Sequence, residues 1–537
     1  VLRDSLQKQT SRRTFLAATG AAGIVAALAA CSGPPSTTGK AGTAAAAGSV
    51  DKNGTITAGM SYALGTGFDP MTTTGALTMA ANWHTLEGLV ELDPVTRKAY
   101  AALGKALPKQ VDSTTYTVSL RDGATFHDGS KVTVDDVLFS FQRVLDPANA
   151  SLYAGFLPFL APDSVTKVDD TTVQFKTAYP FPLFAERISV VKVVPKAVVT
   201  ADQKAFDALP TGTGPYKLTA ATANDKLTFE RHDAYNGSRP ALAASMTWNL
   251  LADPSARVSA MQSKRVNAIE DVPYLNVDGL SRVVKTESVQ SFGVLFMMFN
   301  TTMKPFDDKR VRQALFYAID MDKLIKNGML GNAEAASSYV QNNHPDYVKA
   351  KTVYKHDPAK AKSLLKAAGV SNLSITLLTT DTGWVKDVAP LIKEDLDAVG
   401  VNTTLDIGQA AGQYKKVDNN QFEVMVAPGD PSVFGNDADL LLRWFYADNI
   451  WSQKRYRWNS GAEFDKLQKL LNDGAQATER SKQLDIWSQI YDLVSDEVPL
   501  YPLLHRKLPT AWDSTALSGF KPISMTGLSF LGVGPTK

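Results

Sequence analysis

The chain is poor in the residues from which most active centres are made. A single cysteine, Cys31, occurs in 537 residues. That excludes an intramolecular disulfide, a CxxC redox site and a thiolate-rich zinc site. Six histidines are present and none is spaced as HExxH, which removes the helical zinc-hydrolase signature. Neither charge is in excess: 56 basic residues face 54 acidic ones, a net charge of +2. This balance leaves no electrostatic footprint for nucleic acid or for a polybasic membrane patch. There is no GxSxG elbow, no Walker A loop and no complete GxGxxG, so the common nucleophile and phosphate signatures are missing. GTGFDP (65–70) and GTGPY (212–216) contain GxG without the third glycine and read as turns. His127 and Asp128 follow Phe126 in a turn signal and read as polar groups that satisfy the turn. Carboxylates are scattered, and two of them become a glycosidase pair only through a distance that sequence does not give.

What is present begins with an ordered N-terminal pattern. Residues 1–13 carry Arg3, Lys8, Arg12 and Arg13 against Asp4, and residues 14–30 carry no charge. A basic region, an apolar region and a small-residue exit are the parts of an export signal. The apolar part is short and rich in Ala and Gly, a weak membrane span. Arg12-Arg13 followed by Phe15-Leu16 resembles a twin-arginine signal, and Leu28-Ala29-Ala30-Cys31 resembles the bacterial lipobox. The resemblance implies that residues 1–30 are a signal peptide and that Cys31 becomes a lipidated N-terminus. It places the protein on the extracytoplasmic face of the cell membrane, periplasmic or cell-surface. Residues 31–50 are low-complexity, without large apolar groups to bury, and read as a flexible tether.

The rest is 44% hydrophobic and 20% charged over the whole chain, a globular composition long enough for more than one domain. TITAGM (55–60) alternates as a strand, and residues 76–89 carry an apolar stripe at helical spacing. Residues 115–123 alternate and end at Asp122-Gly123, a strand-to-turn signal. Thr133 reads as the N-cap of a helix to 146, with Asp135 and Asp136 at its positive end. Residues 171–177 alternate again. Residues 307–330 predict one amphipathic helix with Val311, Ala314, Leu315, Ala318 and Ile319 on a stripe. Residues 357–369 predict a helix with Pro358 in its first turn and Gly369 beyond its end. Residues 374–380 read as a strand, and 388–401 as a helix running into another. No repeat is seen, and the fold class is mixed α/β.

Five blocks, in order, resemble the extracytoplasmic solute-binding proteins of ABC importers, peptide- and nickel-binding type (family 5). They are LRDGATFHDGSKVTVDDVLFSFQRV (120–144), GTGPYKL (212–218), RHDAYNG (231–237), MFNTTMKPFDDKRVRQALFYAIDMDKLI (298–325) and YKHDPAKAKSLLKAAGV (354–370). With their spacing they cover residues 55 to 520. Their physical sense is mostly structural. FHDG is a tight turn, Thr213-Gly214-Pro215 is a crossing that needs small and rigid residues, and Asp307, Asp308, Arg310 and Arg312 fix a helix start.

The resemblance implies a two-lobed periplasmic-binding-protein-like fold (type II, cluster C) with an extra subdomain in the first lobe. Lobe I would comprise 51–93, 191–295 and 505–537, the extra subdomain 94–190, and lobe II 296–504. Hinge crossings would lie near Phe299-Asn300-Thr301 and from Pro499 to His505. The lobes would close on a solute, most readily an oligopeptide, and deliver it to an ABC permease driven by cytoplasmic ATPases. The reading is of a monomer without catalytic residues, cofactor, metal or nucleic-acid partner.

In the family's peptide binders an aspartate in G-[WF]-x-x-D takes the ligand's α-ammonium, a suitable task for a charge-assisted hydrogen bond. The corresponding segment is VMVAPGDPSVFGNDAD (424–439), where Asp430 matches, with Asp437 or Asp439 if the alignment slips. Two departures matter. The family's tryptophan before the aspartate is replaced by Ala427 or Pro428. The segment where dipeptide binders carry a carboxylate-clamping arginine reads TTDTGWVKDVAP (379–390), with Trp384 and Lys386 but no arginine. A buried carboxylate without a cation is costly, which counts against a free dipeptide and leaves longer peptides, oligosaccharides, opine-like compounds and metallophores open. Phe434, Trp444, Phe445, Tyr446 and Trp384 either stack on the ligand or pack in the core. A secreted hydrolase and a lipoprotein sensor or chaperone are the rival classes.

Overall fold

The computed structural model describes residues 49–537. Cys31, the export signal and all of the expected tether up to residue 48 lie outside the described residues. The last two tether residues belong to the folded body. Val50 bridges Thr536, and the Lys537 amide donates to the Ser49 carbonyl at 3.0 Å.

Most of the sheet structure is one 11-stranded mixed sheet whose organisation is set by two long antiparallel strands, Lys285–Phe299 and Leu500–Trp512. At one end Leu500–Trp512 pairs with Ala268–Ile269, which leads outward through Thr55–Met60, Ser245–Leu250 and Lys226–Arg231 to Tyr216–Thr222. At the other end Lys285–Phe299 pairs with Val424–Gly429, followed by Ser374–Thr380 and Asn402–Gly408. The long strands therefore belong to two half-sheets at once. Between the halves the ladder breaks register. Gln290 faces Lys507 and Val294 faces His505, so Ser291, Phe292 and Gly293 stand opposite Arg506 alone. Such a bulge bends and twists the pair locally. It is stitched by the Ser291 hydroxyl donating to the Arg506 carbonyl at 2.7 Å and by His505 Nδ1 at 2.7 Å from the Phe292 carbonyl. Phe299-Asn300-Thr301, where a hinge crossing is expected, ends the strand, and the Asn300 amide donates to the Phe422 carbonyl.

A separate antiparallel sheet, Lys109–Gln110, Thr115–Ser119, Thr172–Lys176 and Val165–Lys167, falls within the segment read as an extra subdomain. Helix Val134–Leu145 covers it. Thr133 caps that helix through a reciprocal box with Asp136: the Asp136 amide donates to the Thr133 hydroxyl at 3.3 Å and the Thr133 amide to the Asp136 carboxylate at 2.9 Å.

Several elements match their sequence signals closely: Thr55–Met60, Ser374–Thr380, and helix Pro358–Ala367 with Gly369 at φ +70° beyond it. The helix expected over 307–330 is divided. It runs Lys309–Ala318, Ile319 turns extended, and Asp320 caps a new turn by accepting from the Lys323 amide at 2.9 Å. The apolar stripe continues through the break because Val311, Ala314, Leu315, Ala318 and Ile319 are all buried. Periodicity reported the buried face and was blind to the change of direction.

The family-like blocks meet in buried polar knots. Arg121, from the first block, reaches Glu87 at 3.2 Å, the Ala102 carbonyl, and Asn236 of the third block. Tyr235 donates to Glu87 at 2.9 Å. His127 of the FHDG turn contacts the Gly214 carbonyl at 3.1 Å and accepts from the Gly212 amide at 3.2 Å, and His232 contacts the same Gly214 carbonyl. Burial pushes His127 down to about 3, so it is neutral at physiological pH. Replacing Arg121 by leucine strands the buried Glu87 carboxylate. The Arg121→Leu variant is expected to lose about 3 kcal/mol of stability, the cost of breaking a buried pair from one side. Thermal unfolding monitored by circular dichroism checks this, and an unchanged melting temperature would show that the knot is not a stabilising centre.

Candidate functional site

Three recesses are lined by segments distant in sequence, among them 79–100, 182–192, 433–437, 477–483 and 523–531, and the sequence-derived residues divide around them. Asp430 stands at the end of strand Val424–Gly429, half-buried. Its carboxylate accepts from the Thr526 amide at 2.9 Å, from the Thr526 hydroxyl at 2.8 Å and from the Ser432 hydroxyl. It therefore joins the second half-sheet to the C-terminal segment. Phe434 and Trp444 meet Tyr153 and Phe156 of the subdomain in one aromatic cluster. Phe434 lies 5.4 Å from Tyr153 edge-on and 4.9 Å from Trp444, and Trp444 stacks on Phe156 at 5.9 Å between ring centres. Trp384, 8% exposed, starts the helix Gly383–Ala398, and the Arg506 guanidinium lies over its ring at 4.8 Å.

Tyr446 is a correction. It is wholly buried, its hydroxyl donates to the Leu500 carbonyl at 2.6 Å, and its ring packs edge-on against Tyr339 at 5.4 Å. Phe445 is equally buried, against Phe296 and Trp451. Both sit on the helix Ala438–Tyr446, where successive residues point about 100° apart, so a run of three aromatics does not share one face. Asp437 and Asp439 are engaged elsewhere. Arg187 of the subdomain reaches Asp437 at 2.5 Å and Asp439 at 2.9 Å, and Arg443 also holds Asp439 at 2.9 Å. Burial disfavours the Arg187 charge, but the two aspartates more than offset this and hold its pKa above the ordinary value.

Sequence reasoning missed the other half of the cleft. Arg97 sits in the turn between strands Val90–Leu92 and Ala99–Ala101. It donates to the Ser432 carbonyl and, at 2.6 Å, to the Met525 sulfur. It lines both a chamber walled by Trp83, Tyr153 and Phe434 and a second recess with Glu186 and Arg480. A third recess groups Tyr62, Glu270, Asp271 and Arg506 with Thr526. Arg506 is ion-paired to Asp271 at 2.5 Å and emerges from the register break itself. Segment 379–390 indeed supplies no arginine, but Arg97 and Arg506 bring cations to the cleft from elements far away in the chain. No local spacing marks either one.

This arrangement holds two lobes on a shared pair of crossing strands, with an interior lined by aromatics and both signs of charge. It defines a solute-binding protein of the type II periplasmic-binding fold. The sequence profile of bacterial extracellular solute-binding proteins, family 5 Middle, matches residues 99–452, and the chain belongs to that family. Members bind small solutes or peptides and work with ABC permeases. The glutathione-binding protein GsiB of Pectobacterium atrosepticum is 27% identical over 490 residues, covering 89% of this chain and 93% of that one. The dipeptide-binding protein of Pseudoalteromonas sp. SM9913, solved with Met-Leu, superposes with a TM-score of 0.80 at 19% identity, covering 90% and 100%. The binding protein AgaA of A. tumefaciens R10, solved with agropinic acid, gives 0.77 at 24% identity, covering 89% and 96%. Among the described residues no helix is long and apolar enough to cross a membrane.

Glu270 gives the cleft a measurable pH signature. Burial, helped by neighbouring Asp271, pushes it up to about 7, although the Ser61 amide and hydroxyl donate to it at 3.0 and 3.2 Å and Arg257 opposes the shift. The folded chain therefore holds this proton more tightly than the unfolded chain, whose carboxyl titrates near 4.5. Stability from this group is full below about 4.5 and is lost as pH rises through about 7. Glu270→Gln should match the native protein near pH 4.5 and melt at a higher temperature at pH 8. Equal melting temperatures at both pH values would mean that Glu270 titrates normally.

Proposed function

We propose that this protein captures a short peptide between its two lobes, on the outer side of the cell membrane, and passes it unchanged to a permease. One observation carries the reading. Asp430 and Arg97 stand side by side in the cleft, sharing Ser432 and the neighbouring pair Met525 and Thr526. A compact zwitterion presents an ammonium and a carboxylate to such a pair. Asp430 accepts the ligand's ammonium, and its oxygens retain lone pairs beyond the hydroxyls they already meet. The chamber lined by Trp83, Tyr153 and Phe434 takes the ligand's body, while closure removes water and strengthens each polar contact. Glutathione and Met-Leu, named for or bound to the relatives above, both carry a carboxylate together with a free amino group. The agropinic acid complex keeps an opine-like solute as the second reading.

The test is thermal unfolding of the full chain, purified in detergent, against di-, tri- and tetrapeptides, glutathione, agropinic acid and oligosaccharides. A ligand at 100 times its dissociation constant adds about 2.7 kcal/mol to stability. Stabilisation by peptides is expected. A response confined to agropinic acid or to sugars would overturn the peptide reading. In the same format, Asp430→Asn should weaken a peptide with a free amino terminus more than tenfold and leave its N-acetylated form unaffected. An unchanged affinity would remove Asp430 from the site.

Anchoring rests on Cys31. Stable attachment needs two or more acyl chains, which a processed lipobox cysteine would carry. Cys31→Ser should move the protein from the membrane fraction to the soluble extracytoplasmic fraction. Retention in the membrane would sink the lipid anchor while leaving solute capture intact.

A further inference from the structure

Arg97 is held in place more firmly than a surface arginine needs to be. The Asp93 carboxylate accepts from the amides of Val95 and Thr96 at 3.1 and 2.6 Å, and the Arg97 amide donates to the Asp93 carbonyl at 2.8 Å. Arg97 itself adopts φ +60°, a left-handed conformation uncommon for a side chain of this size. The turn thus fixes the direction in which the guanidinium leaves the backbone, and that direction is into the cleft.

There, among the described residues, it meets only neutral acceptors, the Ser432 carbonyl and the Met525 sulfur. The two carboxylates that act on it electrostatically are engaged elsewhere. Asp93 is ion-paired with Arg239 at 2.5 Å, and Asp430 is held by Ser432 and Thr526. Burial pushes Arg97 down to about 10, with Asp430 and Asp93 opposing the shift only in part. A desolvated guanidinium calls for an anion, and its planar fork of N–H donors matches a carboxylate.

The surroundings narrow the anion. The adjoining chamber is walled by Trp83, Tyr100, Tyr153, Phe434 and Leu531. Its one embedded ion pair is self-contained. Lys192 donates to both oxygens of Glu91 at 2.6 Å and to the Ser189 carbonyl at 3.0 Å, while Glu91 also accepts from the Gly88 amide. The chamber thus offers apolar surface, with a cation at its mouth.

We propose that Arg97 binds the terminal carboxylate of the solute and that the neighbouring chamber takes an apolar side chain from the same end, so that the preferred ligands are short peptides ending in a residue such as leucine. The proposal rests on the peptide reading above and adds to it the direction of the ligand and the chemistry of its last residue.

Isothermal titration of the full chain in detergent tests it, with Ala-Leu, Ala-Ala-Leu and Ala-Ala-Ala-Leu as free acids and as C-terminal amides, and with Ala-Ala-Asp. Arg97→Gly is the first variant, because glycine takes φ +60° without strain and the turn should survive. Arg97→Lys keeps the charge and loses the fork. For the best-bound length, amidation should weaken native binding at least tenfold. Arg97→Gly should weaken the acid at least tenfold and leave the amide unchanged, with Arg97→Lys between. Ala-Ala-Asp should bind at least tenfold more weakly than Ala-Ala-Leu. Equal losses for acid and amide in Arg97→Gly would show that Arg97 only ties the lobes through Ser432, and would overturn the proposal. Equal binding of Ala-Ala-Asp and Ala-Ala-Leu would overturn the apolar end. If native protein binds none of the series, the peptide reading falls first and this proposal with it. Binding without acid–amide discrimination removes Arg97 alone.

Discussion

The ladder between Lys285–Phe299 and Leu500–Trp512 is the constraint on which the rest of this molecule depends. Each strand is long enough to serve two half-sheets, so every helix and loop of either half is ultimately referred to one pair of backbones. The pairing resists shear, because a slip of one residue would turn every side chain to the opposite face. It resists bending least where hydrogen bonds are missing, at Ser291–Gly293 opposite Arg506. There the chain places side chains that touch both sides. Arg506 is paired with Asp271 of the first half and lies over Trp384 of the second. His505, beside it, is wholly buried and pushed down to about 4 by that burial, hence neutral, and it stitches the bulge through Phe292. The weak point of the ladder is also its most heavily decorated point.

The buried knots around Glu87 and His127 explain which parts of the sequence were legible. Blocks such as LRDG, FHDG, GTGPY and RHDAYNG stand out because close backbone packing permits few alternatives. A side chain on Gly212 or Gly214 would collide with the Thr85 and His84 carbonyl oxygens. His127 and His232 must converge on one carbonyl. Constraints of this kind leave recognisable local strings, and the strings identified the fold. They lie away from the cleft and do not address the ligand. Local periodicity performed similarly: strand Thr55–Met60 and the Thr133 cap were readable from neighbours in sequence because neighbours in sequence determine them.

The cleft was less legible because it is assembled from residues that share no local pattern. Arg97 comes from a hairpin turn, Asp271 from just beyond a two-residue interior strand, Asp430 from a strand end, Arg506 from a bulge and Thr526 from the C-terminal segment. Asp430 was singled out as a candidate because the family's G-[WF]-x-x-D segment gives it a precedent. Arg97 has no such marker. The aromatic run Trp444-Phe445-Tyr446 misled for a geometric reason, since a helix distributes three consecutive residues around most of its circumference. The register break was hidden by composition: Phe292 to Phe299 is an unbroken buried run, and hydrophobicity alone does not show where a ladder loses a partner.

The contacts across the cleft also bear on how tightly any solute is held. Asp430 with Thr526, Arg97 with Ser432, Arg187 with Asp437 and Asp439, and Phe434 with Tyr153 all join parts that a wide opening would separate. Contacts made by protein with protein favour the joined arrangement whether or not a solute is inside, so they bring no selectivity among solutes. A solute shifts the balance only by what it adds beyond them. The Arg187 cluster is buried and gains little net stability after desolvation, but its geometry admits few alternatives. It therefore fixes how the lobes meet more than how strongly. The polar contacts of Arg97 and Asp430 differ in kind, because each offers a neutral protein partner to a charged group. A carboxylate or an ammonium forms a stronger hydrogen bond than a carbonyl or a hydroxyl does. Under the proposed binding mode, the margin between those two bonds is what a charged solute would add and what an uncharged one would lack.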